Sequence, residues 1–91
     1  MARSSPVPVR LDRASGVPLA RQLAAGVRDQ VVAGTLPVGL RLPSTRALAA
    51  DLGVSRSVTE QAYDQLAAEG WLESRHGSGT YVAAGDRKSV V

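Results

Sequence analysis

The spacing of apolar residues in the first third of the chain predicts a helix over residues 18–34. One apolar side chain recurs at every fourth position, which places these side chains on one face of an α-helix. These positions are Leu19, Leu23, Val27 and Val31. Pro18 suits the first turn of this helix, and Gly34 is a typical residue just past its end.

The next pattern predicts two short helices joined by a tight turn. Ser44 suits the cap of the second helix, and Gly53 is expected to end it. Val54 is expected to fill the turn with a buried side chain. Ser55 then suits the cap of a third helix, which runs to about Glu69. Two helices joined by so short a turn are typical of a helix-turn-helix.

The end of the pattern predicts a β-hairpin. Trp71–Arg75 alternates as a strand, His76–Gly79 supplies a turn, and Thr80–Val82 returns. Arg41 and Leu42 could supply a further short strand. The predicted fold class is therefore mainly α with a small β-hairpin (α+β), a winged helix-turn-helix of three helices plus a wing.

The chain is expected to divide into three segments. Residues 1–17 are rich in proline and serine and predict a flexible N-terminal arm. The alternation of apolar residues from Val7 to Leu11 would also suit a strand. Residues 18–83 predict the folded domain, and residues 84–91 predict a disordered tail or linker stub.

Composition argues against several classes of protein. The 91 residues contain no cysteine and one histidine, so neither a disulfide framework nor a zinc site is expected. No apolar run approaches the roughly 18 residues of a membrane span, and the N-terminus lacks the apolar stretch of a signal peptide. We therefore expect a cytoplasmic protein without membrane contact. No recognisable order of serine, histidine and acidic residues suggests an enzyme.

Net charge alone is weak evidence for a partner. The formal charge is +3, but residues 18–83 contain six arginines and six acidic residues, so the surplus lies near the termini. Ten of the eleven basic residues are arginine, whose planar guanidinium suits bidentate contacts with phosphate or guanine. Individual arginines therefore matter more than the total charge.

The predicted third helix has two different faces. Its core face is expected to comprise Val58, Thr59, Ala62, Tyr63 and Leu66. Arg56, Ser57, Glu60 and Gln61 fall outside that face and are of the types that contact base edges in the DNA major groove. An ordinary solvated face is the alternative. Glu60 lies four residues after Arg56 and would equally suit an ion pair with it or a contact with cytosine.

Two further regions are candidates for DNA contact. Arg46 lies in the first turn of the second helix, where a positive charge is unfavourable beside the helix dipole, so it suits an external phosphate. The hairpin tip could enter the minor groove, where Arg75 or His76 would favour the negative potential and Gly77 would allow a close approach. The alternative is an ordinary turn that needs glycine for its backbone and exposes His76.

The order and spacing of these motifs resemble the GntR family of bacterial transcription regulators over roughly residues 11–83. The matching segments are Leu42–Arg46, Leu48–Ala49, Leu52–Arg56, Ala62–Tyr63, Glu69–Leu72 and Gly77–Val82. Any one of these segments is weak evidence, whereas their joint order is specific. Leu11–Arg13, Ala62–Tyr63 and Gly77–Thr80 look most like the MocR branch of the family.

The resemblance implies a winged helix that binds two-fold operator DNA as a homodimer. The implied DNA contacts are Arg46, Ser55, Arg56 and Ser57, with His76 and Gly77 at the wing tip. Val58 and Thr59 stand in the reverse of the usual family order, which puts a hydroxyl on the core face and Val58 where it could touch a thymine methyl group. The MocR branch also implies a C-terminal domain similar to a fold-type I aminotransferase. Pyridoxal phosphate is expected only in such a domain, and no cofactor is expected in this chain.

Together these features predict sequence-specific binding of double-stranded DNA by a transcription regulator. The third helix, about 55–69, is expected in the major groove. The wing, about 71–82, is expected at the minor groove or the backbone. The alternative is a winged helix that contacts another protein, because a fold does not by itself determine function.

Overall fold

In the part of the chain that the structure describes, three helices and a three-stranded antiparallel sheet make up the fold. The computed structural model describes residues 9–75, 77 and 79–83. Its elements are α1 (Leu19–Ala33), β1 (Arg41–Leu42), α2 (Thr45–Leu52), α3 (Arg56–Ala68), β2 (Leu72–Arg75) and β3 (Gly79–Val82). The predicted fold class is confirmed, including the short first strand.

The turn between α2 and α3 follows the predicted chemistry in most respects. The Ala47 amide donates a 3.1 Å hydrogen bond to Ser44 Oγ, so Ser44 caps α2. Gly53 ends α2 with φ +70°, in the left-handed region that glycine enters without strain. Val54 is only half-buried. Ser55 stands at the cap position of α3, but its side chain makes no capping hydrogen bond, so that expectation was wrong in detail.

The strands lie in the order β1–β3–β2, so β3 is central. Leu72 pairs with Val82, and Leu42 pairs with Thr80. Leu42, Leu72 and Val82 are buried on the inner face of the sheet. Their side chains pack against the helices. The outer face of the sheet remains available to solvent.

The core lies where the three helices meet the inner face of the sheet. Leu23 from α1, Leu48 from α2 and Leu66 from α3 are completely buried. The four-residue stripe predicted for α1 is confirmed at its centre, since Leu23 and Val27 are buried. Among the residues that the structure describes, no helix is long and apolar enough to cross a membrane.

Residues 9–17 lie against the domain through contacts that the sequence did not indicate, and the flexible arm over residues 1–17 stays a prediction. Val9 and Leu11 pack against the core, and no strand forms between residues 9 and 17. The Asp12 amide donates to the side-chain oxygen of Gln22 on α1 at 2.7 Å. Arg13 Nη2 donates to the Gly53 carbonyl at 2.6 Å. These contacts draw the segment toward α1 and the α2–α3 turn. Residues 1–8 and 84–91 lie outside the described residues, and the segment boundaries at 18 and 83 remain predictions.

The contact between Val9 and Gly26 predicts a coupled pair of substitutions. A Cβ on Gly26 would lie 2.6 Å from Val9 Cγ1, which is a severe overlap. In a Val9→Ala background, we expect Gly26→Ala to raise the free energy of unfolding by about 0.5–1 kcal/mol through helix propensity. With Val9 present the gain should be smaller or reversed. Denaturant unfolding of the four variants measures this coupling, and equal effects in both backgrounds would contradict the packed position of Val9.

Candidate nucleic-acid interface

The two faces of α3 are arranged as the sequence predicted. Thr59, Ala62, Tyr63 and Leu66 are buried, and Val58 packs half-buried against the core. Arg56, Ser57, Glu60 and Gln61 are exposed. Ser55 Oγ lies 3.1 Å from Ser57 Oγ, so both hydroxyls sit together at the exposed start of α3. The beginning of α3 therefore presents a guanidinium, two hydroxyls, a carboxylate and an amide on one surface.

Arg56 and Glu60 form an ion pair on the exposed face of α3. Arg56 Nε lies 3.0 Å from Glu60 Oε2, and the two side chains are 56% and 48% exposed. Exposed pairs at this spacing on a helix contribute only about 0.3–0.5 kcal/mol, because water screens them. The pair holds the guanidinium over the exposed face. The free energy needed to break it is small enough for a contact with nucleic acid to offset. The structure therefore contains the ion pair predicted for Glu60, and its contact with cytosine stays a prediction.

Two hydrogen bonds connect the buried face of α3 to the start of α2. The Tyr63 hydroxyl donates to the Pro43 carbonyl at 2.7 Å. The Thr59 hydroxyl lies 2.8 Å from the Thr45 carbonyl and 2.9 Å from the Arg56 carbonyl, both of which are acceptors. Pro43 and Thr45 flank the Ser44 cap, so these bonds hold the start of α2 against α3. Sequence reasoning assigned both side chains to the core but missed these bonds. The signal was two hydroxyls one turn apart on a buried face.

Arg46 extends the exposed surface to the first turn of α2. Arg46 follows Thr45, whose carbonyl accepts a hydrogen bond from the Thr59 hydroxyl of α3. This bond fixes the backbone at Arg46 relative to α3. Its side chain is exposed and has no ion pair within the described part of the chain. A guanidinium at a helix start, without a carboxylate partner there, is well suited to an external anion.

Burial raises the pKa of the Tyr63 phenol above its ordinary value of about 10. The unfolded chain would then release this proton near pH 10 while the folded chain retains it. The contribution of the neutral phenol to the free energy of unfolding is fully present below that pH. It is lost as the pH rises toward the raised pKa of the folded chain. We expect the free energy of unfolding to fall more steeply above pH 10 than in Tyr63→Phe, by up to about 1.4 kcal/mol per pH unit. Denaturant midpoints between pH 8 and 11 test this, and parallel curves would contradict it.

The wing arginine is held by two partners. Arg75 Nε donates to Glu73 Oε2 at 2.9 Å, and the Arg75 guanidinium carbon lies 4.4 Å from the centre of the Tyr81 ring. Gly77 has φ +78°, and a Cβ there would meet no atom within 4 Å. Among the described residues, nothing occupies the side of the tip that a Gly77 side chain would fill. His76 lies outside the described residues, so its proposed groove contact stays a prediction.

A family model describes most of this fold. Residues 19–82 match "Bacterial regulatory proteins, gntR family". Over 73 residues the chain is 55% identical to a protein from Rhizobium meliloti named "Probable rhizopine catabolism regulatory protein MocR". The match covers 80% of this chain and 15% of that protein. The resemblance to the MocR branch is thus confirmed for this part of the relative's length.

Solved structures share the same architecture. YtrA from Sulfolobus acidocaldarius, a GntR-family transcription factor, has a TM-score of 0.78 at 30% identity, covering 87% of this chain and 82% of that chain. The structure "AraR(DBD) in complex with operator ORE1" has a TM-score of 0.69 at 27% identity, covering 82% of this chain and 93% of the other. The matched family, the MocR relative and YtrA are named as regulators, and the AraR domain shares their fold. The comparisons therefore indicate a domain of a regulator and not an enzyme. The chain belongs to the gntR family of bacterial regulatory proteins.

Proposed function

We propose that this chain binds double-stranded DNA in a sequence-specific manner, as the DNA-binding domain of a cytoplasmic bacterial transcription regulator. The observation that carries the proposal is the exposed start of α3, where Arg56, Ser57, Glu60 and Gln61 share one surface. This surface lies on α3, which is the second of the two helices in the α2–α3 helix-turn-helix. In such motifs this helix enters the major groove. The AraR domain, which shares the fold, is in complex with an operator.

The second part of the proposal is the assembly on DNA. The chain binds as a homodimer to a two-fold operator, with α3 in the major groove and the wing at the minor groove or backbone. Support comes from the family resemblance and from the geometry of helix-turn-helix dimers, whose half-sites lie about one helical turn apart or a multiple of it. Selecting duplexes from a random pool tests this assembly. A single unrepeated half-site would contradict the two-fold arrangement.

Salt dependence separates DNA binding from the alternative of a protein-binding winged helix. Neutralising phosphates releases counterions, so the logarithm of the association constant should fall linearly with the logarithm of salt concentration. We expect selected duplexes to bind with such a slope and more tightly than unrelated ones in mobility-shift measurements. Absence of binding to any duplex, or binding without salt dependence, would favour the protein-binding alternative.

The open wing tip predicts a loss of DNA binding in Gly77→Leu. No atom of the described chain fills the space beside Gly77, so a leucine side chain would project outward from the tip. There it would keep the wing from approaching DNA closely. Gly34→Leu is a matched control, because Gly34 has φ +88° and its Cβ would also be free of contacts. Both variants carry a backbone cost of about 1–2 kcal/mol. We expect both to fold and only Gly77→Leu to bind selected duplexes several-fold more weakly. Equal affinities would remove the wing tip from the interface.

A further inference from the structure

Arg41 lies on the outer face of the sheet, next to the wing. It pairs with Tyr81 of β3, and Arg75 of β2 pairs with Gly79 of the same strand. Side chains alternate between the two faces of a strand, so Arg41, Glu73, Arg75 and Tyr81 share the face opposite the core. No motif in the sequence indicates a functional role for Arg41.

The Arg41 side chain extends along β3 toward the hairpin tip. A Cβ on Gly79 would lie 3.0 Å from Arg41 Nε and 3.5 Å from Nη2. The guanidinium therefore occupies the space above Gly79 that any other residue would fill with its side chain. Gly79 lies two residues closer to the tip than Tyr81, the direct partner of Arg41. The positive charge is thus displaced from β1 to the base of the wing.

Arg41 differs from Arg75 and Arg56 in its freedom to accept an anion. Arg75 is engaged by Glu73 and the Tyr81 ring, and Arg56 is engaged by Glu60. Arg41 is exposed and has no ion pair or side-chain hydrogen bond among residues 9–75, 77 and 79–83. An anion bound there would displace no carboxylate.

We propose that Arg41 binds a backbone phosphate of the DNA beside the wing, an inference that rests on the proposed function. Arg41 lies three residues before the Ser44 cap, while its guanidinium lies at Gly79. It therefore spans the gap between the start of α2 and the wing, the two elements on either side of it that are proposed to contact DNA. A guanidinium matches the oxygens of a phosphate in bidentate geometry. Arg41 lies on a sheet face rather than on an inserted helix, so its ligand is phosphate and not a base edge.

The test compares Arg41→Gln with Arg21→Gln in the full chain. Arg21 is an exposed arginine on α1 without an ion pair in the described residues, so the two variants lose the same charge. At 0.1 M salt we expect Arg41→Gln to weaken binding to every duplex by about five- to tenfold per bound chain, and to reduce the salt slope by about 0.9 per bound chain, which is about 1.8 for the proposed homodimer. The order of preference among duplexes should not change. Arg41→Lys should retain most of the slope, since it keeps the charge. Circular dichroism confirms that each variant is folded.

The outcomes separate this inference from the proposed function. If the unaltered chain binds duplexes with a salt slope and Arg41→Gln behaves like Arg21→Gln, the Arg41 contact is overturned while DNA binding stands. If Arg41→Gln changes the preferred sequence instead of the slope, Arg41 contacts a base and the phosphate assignment is overturned. If the unaltered chain binds no duplex, the proposed function itself fails.

Discussion

Replacing Arg56 by alanine is expected to weaken binding to the selected duplex by about 1–3 kcal/mol per half-site and to relax base preference at one position of each half-site. Arg56 begins α3 on its exposed face, and its guanidinium is already held over that face by Glu60 at 3.0 Å. A bidentate contact with guanine would replace this weak exposed pair. Mobility shifts with the selected duplex and single-base variants measure both effects.

Glu60→Gln provides the companion measurement. Because the structure shows Glu60 paired with Arg56, we expect its neutralisation to strengthen binding to all duplexes by removing a carboxylate from the interface. Selective weakening on the preferred duplex would instead assign Glu60 to a cytosine contact. If Arg56→Ala weakened all duplexes equally, Arg56 would be a phosphate contact and not a determinant of sequence.

Tyr63→Ala is expected to lower the free energy of unfolding by about 3–5 kcal/mol, the range for removing a large buried ring. Tyr63 is 6% exposed and joins α3 to the core, and its hydroxyl bonds the Pro43 carbonyl just before α2. A domain of this size has about 5–10 kcal/mol in total, so the loss is a large fraction of its stability. Urea or guanidinium unfolding measures the change.

Two control variants divide the Tyr63 effect into its parts. Tyr63→Phe keeps the ring and removes the bond to Pro43, so we expect a loss of about 1–2 kcal/mol from an unsatisfied carbonyl. Tyr81→Ala removes the same side chain from the outer face of the sheet, where it is half-buried. Its loss should be well below that of Tyr63→Ala. Equal losses at the two positions would contradict the role of Tyr63 in the core.

Features that depend on neighbours along the chain were predictable from the sequence. Ser44 caps α2 and Gly53 ends it because a side-chain oxygen and a left-handed backbone are local requirements. The division of α3 into a buried and an exposed face follows from the 3.6-residue period alone, and it placed Arg56 and Glu60 on the exposed side. Ser55 shows the limit of such reasoning, because its residue type suited a cap but its hydroxyl turned to Ser57.

Features that depend on distant partners were not predictable. Arg13 lies forty positions from Gly53, and Tyr63 lies twenty from Pro43. No periodicity or turn signal relates residues so far apart, and several partners would have suited each donor equally well. The contacts of residues 9–17 with the domain were not predictable for the same reason. Proline and serine describe local conformation, not the surface that Val9 and Leu11 meet.

The element order, the α2–α3 turn and the polar surface at the start of α3 all follow from local sequence patterns. Which of the described arginines have a carboxylate partner, and which have none, depends on the tertiary structure. Arg56 and Arg75 each have a carboxylate partner, whereas Arg41 extends across the bare backbone of Gly79. Periodicity assigns a side chain to a face of a helix or strand. Whether its charge is still available to a ligand depends on which charged groups the fold brings within a few ångströms of it.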